Sequence, residues 1–136
     1  MWTHFHHEAD IGVRGIGHTR EEAFEEAALA LTAVITEPEA VTCTDSVTVD
    51  CESADPELLF VDWLNALVFE MATRKMLFSR FHVEFDGPCL HATVCGESID
   101  VARHQPAAEV KGATYTELAV CEDEPGNWRA QCVVDV

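Results

Sequence analysis

The stretch FHHEADIGVRGIGHT, starting at Phe5, gathers three histidines, two acids and three glycines close to the start of the chain. Histidine and carboxylate together are the raw material of metal sites and of acid–base catalysis, so the spacing decides what they could do. In an extended segment, residues two apart share a face; His4 and His6 could therefore hold zinc or a similar borderline ion, with His7 and Glu8 nearby as a secondary set. The same residues suit a polar strand edge, and neither a distant H-x-x-x-H partner nor a cysteine pair strengthens the zinc reading.

A second combination lies far apart in sequence. Asp10 closes the polar stretch, and Asp135 follows the apolar CVV of Cys132 to Val134. If the strands carrying them are neighbours, Asp10, Asp135 and the main chain of Val136 would form an all-oxygen cluster, the donor chemistry of calcium or magnesium. A solvated sheet end accounts for the acids equally well. A third candidate is Lys111, one of only two lysines, in EVKGATYTEL with Tyr115 close by. Nucleophilic catalysis has no support, because there is no G-x-S-x-G elbow, and GVRGIG lacks the G-K-[ST] ending of a phosphate loop.

The elements that must position these residues follow from periodicity. Trp2 to His7 reads as a strand, leading through Asp10 into a second in which Ile11 and Val13 alternate with small or charged residues. Thr19 and Glu22 form a capping box for a helix to about Ile35, with Phe24, Ala27, Ala28, Leu31 and Val34 on one face. AVTCTDSVTVDC alternates as a strand from Val41 to Cys51. Asp55 and Pro56 open a second helix so apolar, from Leu58 to Met71, that it is expected to be the central buried one. The remainder reads as strands: FSRFHVEF, a turn at Asp86-Gly87, CLHATVC, VKGATYTELAVCED, a turn at EPGN, and WRAQCVVDV. This order predicts an α+β fold, two helices packed on a mostly antiparallel β-sheet, as a single compact domain over residues 1–136.

Composition narrows the function. At 136 residues, 48% of them hydrophobic, the chain can bury one substantial core. Twenty-five acids against eight basic residues give a net charge of −17, which repels phosphate backbones and argues against direct, non-specific nucleic-acid binding. No apolar run is long enough for a membrane helix and the N-terminal residues lack the form of a signal peptide, so a cytoplasmic protein without membrane contact is expected. The six cysteines contain no C-x-x-C and are expected to be reduced, small core residues.

In order and spacing, HEADIGVRGIG (His7–Gly17), EEAFEEAALAL (Glu21–Leu31), LLFVDWLNALVFE (Leu58–Glu70), LFSRF (Leu77–Phe81), Arg103-His104, EVKGATYTEL (Glu109–Leu118) and the ending VVDV resemble the archease family. The first block is close to that family's H-T-A-D-I-G-I-R-A-x-G. The resemblance implies an accessory protein of the GTP-dependent RNA ligase of tRNA splicing and RNA repair. Such a protein promotes guanylylation of the ligase histidine and multiple turnover, and meets RNA only through the ligase, with no catalytic residue of its own. It further implies a divalent-metal site at Asp10, Asp135 and the main chain of Val136, with calcium expected and magnesium or manganese as alternatives, and a functional lysine at Lys111. The sequence departs from the pattern at Glu8 (threonine in the family), His6 (aspartate), Gly112 (alanine) and Thr116 (histidine), none of which is an implied metal ligand. Two rival readings are a metal-dependent hydrolase using His4, His6, Asp10 and Asp135 with Glu8 as base, and a redox-responsive chaperone using exposed cysteines.

Overall fold

A computed structural model describes all residues, 1–136. The chain forms strands β1 (Trp2–His7) and β2 (Asp10–Gly17), helix α1 (Arg20–Ile35), strand β3 (Asp45–Glu52) and helix α2 (Pro56–Arg74). Strands β4 (Met76–Asp86) and β5 (Cys89–Ser98), the single-turn helix α3 (Val101–His104) and strands β6 (Gly112–Ala113), β7 (Ala119–Glu124) and β8 (Asn127–Asp135) follow. The strands make two antiparallel sheets where one was expected. The larger has the order β1-β2-β8-β6, with β7 also pairing β8; the smaller is β3-β5-β4. One core of 28 buried residues joins them.

Helix α1 lies between the sheets because its sequence permits close approach on both sides. The Thr19 hydroxyl accepts the Glu22 amide, as the capping box predicts. Ala23, Ala27, Ala28 and Ala30 are fully buried, and a Cβ on Gly15 of β2 would collide with main-chain atoms of Ala23 and Ala27. GVRGIG is thus a strand whose Gly15 admits the helix backbone. On the other side, the buried Thr32 hydroxyl donates to the Phe78 carbonyl of β4 at 2.7 Å. The expectation that α2 is the central helix is corrected: it buries Leu59, Phe60, Val61, Trp63, Leu64 and Leu67 but leaves Leu58 and Phe69 exposed. Its N-terminus is as predicted, Asp55 accepting the Glu57 and Leu58 amides ahead of Pro56. Trp63 fixes α2 against α1, its indole N–H donating to the Phe24 carbonyl at 3.1 Å.

Three further expectations are revised. The strand foreseen from Val41 begins only at Asp45, since the preceding residues are held instead by Thr42 donating to Glu97 and Thr44 donating to the Gly96 carbonyl. The long strand foreseen from Val110 is broken at Thr114 to Leu118, where Glu117 adopts a φ of 56°. The cysteines are not all reduced core residues: Cys43, which is exposed, forms a disulfide with Cys95, at a Cα–Cα distance of 5.1 Å. Cys132 alone of the four free thiols is fully enclosed.

Candidate functional site

Strands β1 and β2 are joined by a two-residue turn, Glu8-Ala9, with His7 paired to Asp10 and Glu8 at a φ of 54°. Glu8 therefore sits on the reversal itself, and the face-sharing argument for an extended chain does not apply to it. Strand β2 pairs β8 through Ile11 with Val134. One step further along the same register Asp10 stands beside Asp135, and Asp135 is in turn paired with Gly112 of β6. Directly paired residues of antiparallel strands share a face. His7, Asp10, Asp135 and Gly112 thus form one row across four strands, on the face turned away from α1.

Lys111 enters this row through its main chain, its N–H donating to the Asp135 carbonyl at 2.8 Å. Its side chain is exposed and forms no ion pair; the exposed Asp135 and half-buried Asp10 carboxylates form none either. The neighbouring β6 is held to α2 by Ala113, whose N–H donates to Asn65 Oδ1 at 2.8 Å. Two rows further along β2, Arg14 Nε donates to Gln131 Oε1 at 2.8 Å, and Gln131 Nε2 donates to the Glu117 carbonyl at 3.0 Å. That relay ties the turn containing Tyr115 to the sheet beside Lys111. Tyr115 itself is 70% exposed.

Adjacent carboxylates without a cation partner repel one another, and an all-oxygen donor set suits a hard divalent ion. The donor chemistry thus fits the implied calcium or magnesium. No three or more His, Cys, Asp or Glu side chains converge into a metal cluster; the expected set differs in having two carboxylates and a main-chain group. His4 and His6 pair with Val13 and Ile11 and so lie on the α1 side of the sheet, away from Asp10 and Asp135. His4 Nε2 is 2.7 Å from the Ala30 carbonyl and so carries the proton it donates. The four-residue hydrolase site is therefore split between the two faces.

Sequence reasoning missed one polar centre. Glu97 on β5 accepts from Arg103 Nη2 at 2.5 Å, the Thr42 amide at 2.6 Å and His104 Nε2 at 3.2 Å. These donors, Arg103 first, pull its carboxyl down from 4.5 to about 2. His104 is buried, and its Nδ1 accepts the Asp100 amide at 2.8 Å. Arg103 also donates to the Ala40 carbonyl at 2.9 Å. A cleft of about 410 Å³ lies beside this network, lined by Thr36, Glu37, Arg103 and His104 among others. The adjacent Arg103-His104 pair was visible in the sequence; Glu97, their common partner, carried no local signal.

Residues 2–136 match the Archease protein family (MTH1598/TM1083). The chain belongs to the archease family. Protein archease of Thermococcus gammatolerans is 37% identical, covering 99% of this chain and 98% of the relative. Protein archease of Pyrococcus furiosus is 36% identical over 100% and 99%. The solution structure of Methanobacterium thermoautotrophicum protein 1598 superposes with a TM-score of 0.84 at 34% identity, covering 99% of this chain and 98% of that one. A Thermotoga maritima archease, described as a possible chaperone, shares the fold at a TM-score of 0.63 and 22% identity, with 97% and 94% covered. The two-sheet α+β fold, with β2 beside the last strand β8, is thus shared with a solved archease-family structure. No helix of the chain is long and apolar enough to cross a membrane.

Proposed function

We propose that this archease-family chain is a non-catalytic activator of a GTP-dependent RNA ligase in the cytoplasm, promoting guanylylation of the ligase and multiple turnover. RNA is met only through the ligase. The observation that supports this reading is the row His7, Asp10, Asp135 and Gly112, flanked by Lys111. Asp10, Asp135 and the main chain of Val136 would hold a divalent cation, calcium first and magnesium or manganese as substitutes, with His7 and Glu8 at its margin. A bound cation supplies positive charge and a fixed geometry at the sheet end.

Each neighbouring residue then has a defined task. Asp10 and Asp135 come from strands far apart in sequence, so a cation between them braces the hairpin against β8. The Lys111 N–H fixes the Asp135 main chain, which leaves the Lys111 ammonium as a mobile positive charge beside the site. Within a chain of charge −17, such an isolated ammonium is a specific contact for an acidic or phosphate-bearing surface on a protein partner. The negative remainder disfavours RNA at the same surface.

The deciding experiment measures guanylylation of the cognate ligase with limiting GTP, with the chain added, omitted, or replaced by Asp10→Ala. Stimulation by the wild type that disappears in the variant is the expected result. Equal rates with and without the wild type, using a ligase that is demonstrably active, refute the activator role.

A further inference from the structure

We propose that the open face of the smaller sheet carries a second cation site of a softer kind, a zinc-type ion held by His82, Glu84 and His91 with Asp50 behind His91. The register brings these residues together from three strands. Asp50 of β3 pairs with His91 of β5, and Glu84 of β4 pairs with the same His91 from the other side. His82 and Glu84, two apart on β4, share that face. His82 is in the adjoining row with Thr93 and Thr48, a diagonal step that an imidazole can span. The same residues line a shallow concavity of about 310 Å³, separate from the row at Asp10 and Asp135.

The hydrogen bonding already has the form of a metal site's outer layer. His91 Nδ1 lies 2.6 Å from Asp50 Oδ1. With Nδ1–H donating to the carboxylate, Nε2 is left as the lone-pair donor to a metal, as in the carboxylate–histidine arrangement that orients metal-bound imidazoles. His82 Nε2 stands 3.2 Å from Glu84 Oε1, so the second imidazole and a carboxylate are neighbours on β4. The donors now sit as two pairs and do not converge on one centre. All four side chains are more than half exposed, so packing does not hold their rotamers and the proposed site would form by their rotation around an incoming cation. Two imidazoles and one carboxylate select zinc, cobalt or nickel over calcium, with water completing the coordination. Such an ion would tie β4 to β5 and, through Asp50, to β3.

The test is calorimetric titration of the full chain with zinc, paired with cobalt absorption and thermal melting. The variants are His82→Ala, His91→Ala, Asp50→Asn and the double change Asp10→Asn/Asp135→Asn, with His82→Gln and His91→Gln should either alanine variant misfold. The wild type is expected to bind a zinc equivalent that both histidine variants lose and the double aspartate variant keeps. Asp50→Asn is expected to bind it roughly 10–100-fold more weakly. Zinc is expected to raise the melting temperature of the wild type and leave that of His91→Ala unchanged. An absence of saturable zinc binding would overturn the proposal, as would binding that survives in both histidine variants or is lost in the double aspartate variant. A thiolate-to-cobalt charge-transfer band would also overturn it, moving the ligand set to Cys89 or another free thiol.

Discussion

Lys111 and Asp135 are joined main chain to main chain, the lysine N–H donating to the aspartate carbonyl at 2.8 Å, while both side chains remain without an ion-pair partner. The structural role of Lys111 therefore belongs to its backbone and the proposed functional role to its ammonium. Two substitutions separate them. Lys111→Ala keeps the amide and is expected to change stability by no more than about 0.5 kcal/mol while abolishing stimulation of the ligase. Lys111→Pro removes the donor at a paired strand end and is expected to cost roughly 1–3 kcal/mol. Urea unfolding of both variants, alongside the guanylylation assay, checks the division; a Lys111→Ala protein that unfolds as easily as Lys111→Pro contradicts it.

Gly15 is where α1 meets the larger sheet. Because the atoms that a Cβ would strike belong to the main chain of Ala23 and Ala27, no rotamer change can relieve the clash. Gly15→Ala is expected to destabilise by roughly 1–3 kcal/mol, towards the upper end, and to loosen the β2–β8 register that sets Asp10 beside Asp135. Chemical denaturation gives the first quantity and amide exchange along β2 the second. A neutral result would mean that the helix does not approach as closely as described.

Acid should remove a stabilisation that Glu97 supplies. Its folded pKa, about 2, lies below the ordinary 4.5 because Arg103, the Thr42 amide and His104 favour the carboxylate. The unfolded chain therefore binds the proton more readily. The resulting stabilisation is complete above about pH 4.5 and fades as the pH falls through about 2. Glu97→Gln should be less stable than the wild type at neutral pH, and the gap should narrow over that window. Melting temperatures of both proteins from pH 6 down to 2 measure the convergence; parallel curves would contradict the assignment.

Thiol chemistry offers a direct check on the Cys43–Cys95 bond. Denatured without reductant, the protein should show four reactive thiols, and six after reduction. In the native state Cys132 and Cys51 should react slowly, since burial pushes their thiols up to about 12 and about 11. Replacing Cys43 by serine should cost about 2–4 kcal/mol, the usual range for opening a long loop. Six reactive thiols in unreduced protein would refute the bond.

Local signals in the sequence foretold most of the elements. Thr19 with Glu22 and Asp55 with Pro56 marked both helix starts, and the turns at Gly87 and Gly126 were visible as glycines, both of which adopt positive φ. What escaped were properties of pairs. Nothing around Cys43 announces Cys95, which is 52 residues away, and nothing around Glu97 announces Arg103 and Thr42. The division into two sheets was also hidden, because it depends on which strands α1 separates. At the candidate site, Asp10, Asp135, Val136 and Lys111 were candidates by residue type and position, and only the family resemblance raised them to the leading site. Residue spacing alone could not rank them above a solvated strand end, because the row exists only through the β2–β8 register. Register likewise moved His4 and His6 to the opposite face from Asp10, which alternation within β1 alone could not decide.

The placement of β8 also bears on the timing of assembly. This strand follows all the others in the sequence, yet it is the common neighbour of β2, β6 and β7. Synthesis delivers β2 long before its partner, so the inner edge of the β1–β2 hairpin must wait for residues more than a hundred positions later. Loop closure over that distance makes the pairing a late, non-local event. A nascent chain lacking β8 has Asp10 but no second carboxylate beside it, so the oxygen cluster reports that the sheet has closed. The proposed cation site and the completed fold would arrive in a single step, and a chain truncated before β8 would lack the Asp10–Asp135 pair.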